Sequence, residues 1–145
     1  MRDLPRQLSA EQLAELFEGE TALVRHLAGL EDPLANAEAV LRELSEEEKI
    51  DALNAHPAIG ARRLSPRSAA EQGSDADPAI LSELSYLNQV YEEKFGFRFV
   101  VFVQGRSKRE VLEVLRDRIA RTRQEELDTG CRELVAIARD RWTHT

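Results

Sequence analysis

Apolar residues recur every three or four positions through most of this chain, and the pattern breaks where residues that start or stop helices occur. Leu13, Leu16 and Phe17 follow Ser9-Ala-Glu-Gln12, whose spacing lets each side chain bond the other residue's free backbone N–H in a capping box. Leu23, Val24 and Leu27 resume the stripe after a break at Gly19. Asp32-Pro33 places a capping residue before a proline at the first helical position, and Leu34, Ala37, Val40 and Leu41 then share one face. Ser45-Glu-Glu-Glu48 is a second box, starting a segment that runs to about Ala55. These are short amphipathic helices that must pack on one another.

Periodicity is lost from His56 to Asp77, where Pro57, Gly60, Pro66 and Gly73 crowd among Ser and Asp residues. Irregular connections of this length are uncommon in compact domains unless they are functional or disordered. Asp77-Pro78 opens the longest helical pattern, with Ile80, Leu81, Leu84, Leu87 and Val90 or Tyr91 on one face, ending near Phe95-Gly96. That helix is expected to carry the core. Ser107-Lys-Arg-Glu110 is a third box, followed by Val111, Leu112, Val114, Leu115 and Ile119; Leu127, Leu134, Val135, Ile137 and Ala138 continue a final helix to Trp142, with Gly130 a tolerated flaw.

Between these helices lies one strand-like run, Phe97 to Val103, almost wholly aromatic or β-branched and closed by Gln104-Gly105. A lone strand has no partner for its ladder. It is therefore expected to be a buried extended segment clasped by helices, with part of its backbone left for something else to pair with. The fold class is all-α: a single-domain helical bundle over residues 1–145 with one short extended segment at about 97–103.

Composition narrows the function. The 145 residues are 42% hydrophobic and 32% charged, enough for a real core without staples. A net charge of -7 sets the whole-molecule field against phosphate backbones and anionic lipid, so neither nucleic acid nor membrane is an expected partner. No stretch approaches a membrane span, the N-terminal MRDLPRQLSA has no apolar signal region, and Cys131 has no second cysteine to bridge, so a reducing cytoplasm is the expected compartment.

No Gly-rich phosphate loop, no Cys or His pair at metal spacing and no G-x-S-x-G occurs, and neither a metal nor a nucleotide cofactor is expected. His56, in Asn54-Ala-His-Pro-Ala-Ile-Gly60, stands at the mouth of the irregular stretch. Pro57 restricts the backbone before it, so the imidazole is aimed, as general acid or base work requires. The competing explanation is a histidine that stabilises a helix C-terminus. His26 lies in an amphipathic segment and His144 near the chain end, which makes them weaker candidates. Ser68-Ala-Ala-Glu71-Gln72 has the form of a capping box, and capping alone would explain it; broken at once by Gly73, the same turn also offers a hydroxyl, a carboxylate and an amide as a small-ligand cradle. Arg141 fits dipole stabilisation of the last helix. Asn88, Tyr91 and Lys94 share a helix face as a polar interface or a solvated edge.

In order along the chain, "HPAIG", "SAAEQ", "NQVYEEKFGFRFVVFVQGRSK" and "ELVAIARDRW" resemble the 2-oxo-4-hydroxy-4-carboxy-5-ureidoimidazoline (OHCU) decarboxylases, over about residues 54 to 142. The resemblance implies an all-helical, cofactor-free carboxy-lyase of urate catabolism that yields (S)-allantoin. It implies catalytic roles for His56, Glu71 and Arg141. It implies substrate contacts from Pro57, Ser68 and Gln72 and from the Phe99, Val100, Val101, Phe102 and Val103 main chain. The implied partner is a small ureide, and a homodimer is compatible with it. Three departures are visible: the connection from His56 to Ser68 is short, Gln104 stands where the family usually has arginine, and the N-terminal third lacks the tryptophan expected in its early helices. They keep open a decarboxylase acting on a related ureide, beside the alternative of a non-enzymatic helical interaction module.

Overall fold

A computed structural model describes residues 3–59 and 77–144. Among them are seven helices and no strand: α1 (Ala10–Phe17), α2 (Ala22–Leu27), α3 (Pro33–Glu43), α4 (Glu46–Ala55), α5 (Pro78–Phe95), α6 (Lys108–Ile119) and α7 (Arg123–Thr143). The chain is all-α as the periodicity predicts.

The helix starts follow from local chemistry. The boxes at Ser9, Ser45 and Ser107 close in both directions, and a fourth, Thr122 with Glu125, opens α7. Carboxylates in these first turns are held below their usual range, first by the backbone N–H bonds at Ser45, Ser107 and Thr122. Asp77 Oδ1 accepts from the Ala79 N–H at 3.0 Å. Asp32 differs from expectation: its backbone is left-handed (φ 49) and its side chain caps nothing. Its carbonyl, together with that of Glu31, instead receives the Asn36 amide, so Pro33 with its missing N–H does the terminating.

The core is organised by α7 rather than by α5. At 21 residues α7 exceeds the 18 of α5, and it packs against α1, α3 and α4, burying Leu127, Cys131, Leu134, Val135, Ile137 and Ala138. Gly130 is part of this packing. A Cβ there would stand 3.2 Å from Leu53 Cδ2, so the absent side chain lets α4 approach α7. α5 packs on α6 and buries Leu84, Asn88, Tyr91 and Phe95, with Leu81, Leu87 and Val90 only half covered.

A buried polar network joins these three helices. Arg118 Nε donates to Glu126 Oε1 at 2.7 Å, Tyr91 Oη donates to the same oxygen at 2.7 Å, and Arg121 Nη1 reaches Glu126 Oε2 at 2.9 Å. Burial, with the Glu126 bond second, drives the Tyr91 hydroxyl pKa far above its usual range, so it remains a donor. The face shared by Asn88, Tyr91 and Lys94 therefore splits: the first two are interior, while Lys94 is exposed and donates to the Ile119 carbonyl. Phe97 and Phe99 are buried against Tyr91 and Phe95, with Tyr91–Phe99 ring centroids 5.2 Å apart, and this aromatic cluster anchors the extended segment. Among the described residues no helix is long and apolar enough to cross a membrane.

Candidate functional site

α4 stops at His56, whose φ of -79 and ψ of 137 are the extended values a following proline imposes. The turn sends the imidazole inward. His56 is only 7% exposed, and its buried Nδ1 has no hydrogen-bond partner among the described residues. Asn54 and Arg98 tie this corner to the extended segment: the Arg98 N–H donates to Asn54 Oδ1 at 2.9 Å, while Arg98 Nη1 donates to the carbonyls of Asn54 at 3.0 Å and His56 at 2.7 Å.

Beside the imidazole is a cavity of about 380 Å³. Its walls are His56, Pro57 and Ile59 from the end of α4, the stretch from Phe99 to Gly105, and Ile137 and Asp140 of α7. Asn88 Nδ2 holds the Ile59 carbonyl at 3.1 Å from α5. At the far end Gln104 and Gly105 both have left-handed backbones, φ 53 and 74, and the Arg106 N–H donates to Val103 O at 3.0 Å. This is the tight turn that ends the extended run, and it bends Gln104 into the cavity wall.

Burial is the first cause of a depressed His56 pKa, and the positive charge of Arg141 is the second; with Arg98 adding and Glu18 opposing, the imidazole titrates at about 4. It is neutral at pH 7 and able to accept a proton. Arg141 itself is buried, 3.1 Å from Glu18 Oε1 and donating to Leu16 O at 3.0 Å, which ties α7 to the end of α1. Among the described residues no group of His, Cys, Asp and Glu is arranged to hold a metal.

A family model described as OHCU decarboxylase matches residues 3–143. The chain belongs to the OHCU decarboxylase family. Among its relatives, the 2-oxo-4-hydroxy-4-carboxy-5-ureidoimidazoline decarboxylase of Halalkalicoccus jeotgali is 31% identical over 115 residues, 76% of this chain and 64% of that protein. A uric acid degradation bifunctional protein of Bacillus subtilis is 23% identical over 152 residues, 97% of this chain and 31% of that protein. The chain thus spans less than two thirds of the length of either relative. A solved structure of an OHCU decarboxylase in the presence of (S)-allantoin superposes with a TM-score of 0.76 at 21% identity, covering 90% of this chain and 94% of that one, so the two share a fold.

The residues that the family resemblance singled out divide into three groups. His56, Pro57 and Phe99 to Val103 come together on one cavity. Arg141 lies behind it, engaged with α1, and bears on His56 through its charge. Ser68, Glu71 and Gln72 lie outside the described residues. Sequence reasoning missed Arg98 and Asp140. Asn88 was singled out only as part of a polar interface or solvated edge, and no local pattern announces an arginine that reaches back 42 positions to the His56 carbonyl.

Proposed function

We propose that this protein decarboxylates OHCU to (S)-allantoin without a cofactor, as a step of urate catabolism. The observation that carries the reading is a neutral, buried imidazole sharing a small cavity with an extended main-chain segment, in a chain of the OHCU decarboxylase family.

The substrate carries its carboxylate on C4 beside a ring C=N. When the C4–carboxylate bond breaks and CO2 leaves, its electron pair forms a C4=C5 double bond and the C=N π pair moves onto the imine nitrogen, which takes up one proton from solvent, so the substrate supplies its own electron sink. The resulting enol becomes allantoin by losing the 4-hydroxyl proton and gaining one at C5. Neutral His56 takes the hydroxyl proton, and as imidazolium it has a proton to return to C5. The main chain from Phe99 to Val103 pairs with the planar ureide, and the positive charge of Arg141 favours an anionic ligand close to the imidazole. By the family resemblance Glu71 orients the imidazole or holds ureido N–H groups, with Ser68 and Gln72 beside it. Pro57 closes the wall next to the imidazole. A cytoplasmic homodimer suits this role.

Gln104 favours a second reading: its place in the cavity wall, where the family usually has arginine, suits the same chemistry on a related ureide. Freshly generated OHCU, followed by its disappearance with wild type and with His56→Gln at matched folding by circular dichroism, tests the proposal. The expected result is acceleration by the wild type and a loss of about 100-fold or more in the variant, the usual scale for a general acid–base group. Equal rates for the two proteins overturn it. A wild type inactive on OHCU but stabilised by other ureides supports the second reading.

A further inference from the structure

In an extended chain the N–H and C=O of one residue point to one edge and those of the next residue to the other. Residues 98, 100 and 102 therefore share one edge of the segment, and 99, 101 and 103 the opposite one. The two edges are treated very differently.

On the first edge, side chains replace the missing neighbouring strand. Asn54 Oδ1 of α4 accepts from the Arg98 N–H at 2.9 Å, and Arg118 Nη1 of α6 donates to the Val100 carbonyl at 2.7 Å. Glu133 Oε1 of α7 accepts from the Phe102 N–H at 3.3 Å, and Arg106 Nη2 donates to the Phe102 carbonyl at 2.5 Å. Four of the six main-chain groups on this edge are thus held, from three helices and the turn. On the opposite edge only the Val103 carbonyl is engaged among the described residues, by the Arg106 N–H and Nε, both at 3.0 Å. Neither polar group of Phe99 or Val101, nor the Val103 N–H, has a partner among the described residues, and all three residues line the His56 cavity.

One of the side chains that do the holding is itself fixed. Arg118 is 5% exposed, bonded through Nε to Glu126 and stacked with its guanidinium carbon 4.6 Å from the centre of the Phe99 ring. It therefore sets both the Val100 carbonyl and the side chain of the next residue back.

We propose that Arg118 and Glu133 are positioning residues that act through the main chain. From behind the segment they set the register of an open backbone edge, Phe99–Val101–Val103, on which a planar ligand with alternating N–H donors and C=O acceptors completes the ladder. The ligand chemistry rests on the ureide reading above; the asymmetry of the two edges does not, and the experiment separates them.

Amide hydrogen exchange by NMR on the free protein reads the edges directly. The Phe102 N–H should exchange several-fold more slowly than those of Val101 and Val103, and allantoin should then protect Val101 and Val103. Glu133 is half-buried, so Glu133→Ala is expected to fold; it should release the Phe102 amide. It should also raise the KM for OHCU and weaken allantoin binding by about tenfold, the size of one charge-assisted hydrogen bond, while kcat changes less than about twofold. Glu133→Gln keeps an acceptor oxygen and should restore most of both, which a purely structural role would not produce. Arg118→Met, checked for folding, should act in the same direction. The inference is overturned if Val101 is as protected as Phe102 in the free protein, or if Glu133→Ala leaves ligand affinity unchanged. Should the wild type neither turn over OHCU nor bind allantoin, the functional reading fails, and the exchange contrast with its loss in Glu133→Ala still decides whether the edges differ as described.

Discussion

Arg98 and His56 are joined through the main chain: one guanidinium nitrogen of Arg98 donates to the His56 carbonyl at 2.7 Å and to the Asn54 carbonyl at 3.0 Å. The same residue belongs to the extended segment, so the end of α4 is tied to the cavity's opposite wall. In the reaction proposed for His56 this contact would orient the imidazole, and orientation of a reacting group within an ångström is worth large factors in rate.

Arg98→Met keeps much of the side-chain stem but removes both carbonyl contacts. Each is a hydrogen bond from a charged donor, so the variant should lose about 2 kcal/mol of stability, since Arg98 is partly solvent-exposed. Measured by urea unfolding and by turnover at a temperature where it remains folded, the variant should show a fall in kcat. Unchanged kcat in a folded variant would remove Arg98 from any role in aiming His56.

The titration of His56 gives a stability prediction with a definite sign. Folded, it titrates at about 4 against an ordinary 6.5, so between those values the unfolded chain holds a proton that the folded chain does not. Stability therefore falls as the pH drops through that window, by about 3 kcal/mol from this residue alone, and this residue contributes no pH dependence above it. Urea midpoints across the window should fall more steeply for the wild type than for His56→Gln. Parallel curves would show that His56 is not buried as described.

Glu126 accepts from Arg118, Arg121 and Tyr91 at full burial, and removing one partner leaves the others' buried polar groups unmatched. Glu126→Leu should cost about 3–5 kcal/mol, whereas the double variant Glu126→Leu/Arg118→Met should cost less than the sum of the two single changes. A double-mutant cycle in chemical denaturant gives both quantities, and strict additivity would contradict the network.

Leu53 is fully buried against Gly130, where α4 packs on α7. Leu53→Ala should lower the unfolding free energy by about 2–5 kcal/mol, because two backbones already in close approach leave little room to collapse into the void. A loss below about 1 kcal/mol by thermal or urea unfolding would contradict this close contact.

Much of the fold was legible because its signals are local. A hydroxyl three residues before a carboxylate or amide, followed by apolar residues at helical spacing, involves contacts within one turn, and Ser9, Ser45 and Ser107 all open helices as that pattern predicts. The dominance of α7 was not legible. Its buried positions include Gly130, which read as a flaw, Arg141, which read as dipole stabilisation, and Glu126, which carries no local signal, until the partners Leu53, Glu18 and Arg118 are brought in from elsewhere in the chain. The site divides the same way. His56 before Pro57 and the lone apolar run at 97–103 announce themselves, and the two do share a cavity. The clamp from Arg98 and the supports from Arg118 and Glu133 depend on separations of 42, 18 and 31 residues, which no local pattern encodes.

An unpaired β-edge is ordinarily a hazard, since any other extended peptide can add to it and start aggregation. Here the bare groups of Phe99, Val101 and Val103 are recessed in a hollow of about 380 Å³ between helices, a volume on the scale of a small-molecule site. Burial of these three residues keeps a potentially sticky edge away from other chains in a crowded solution.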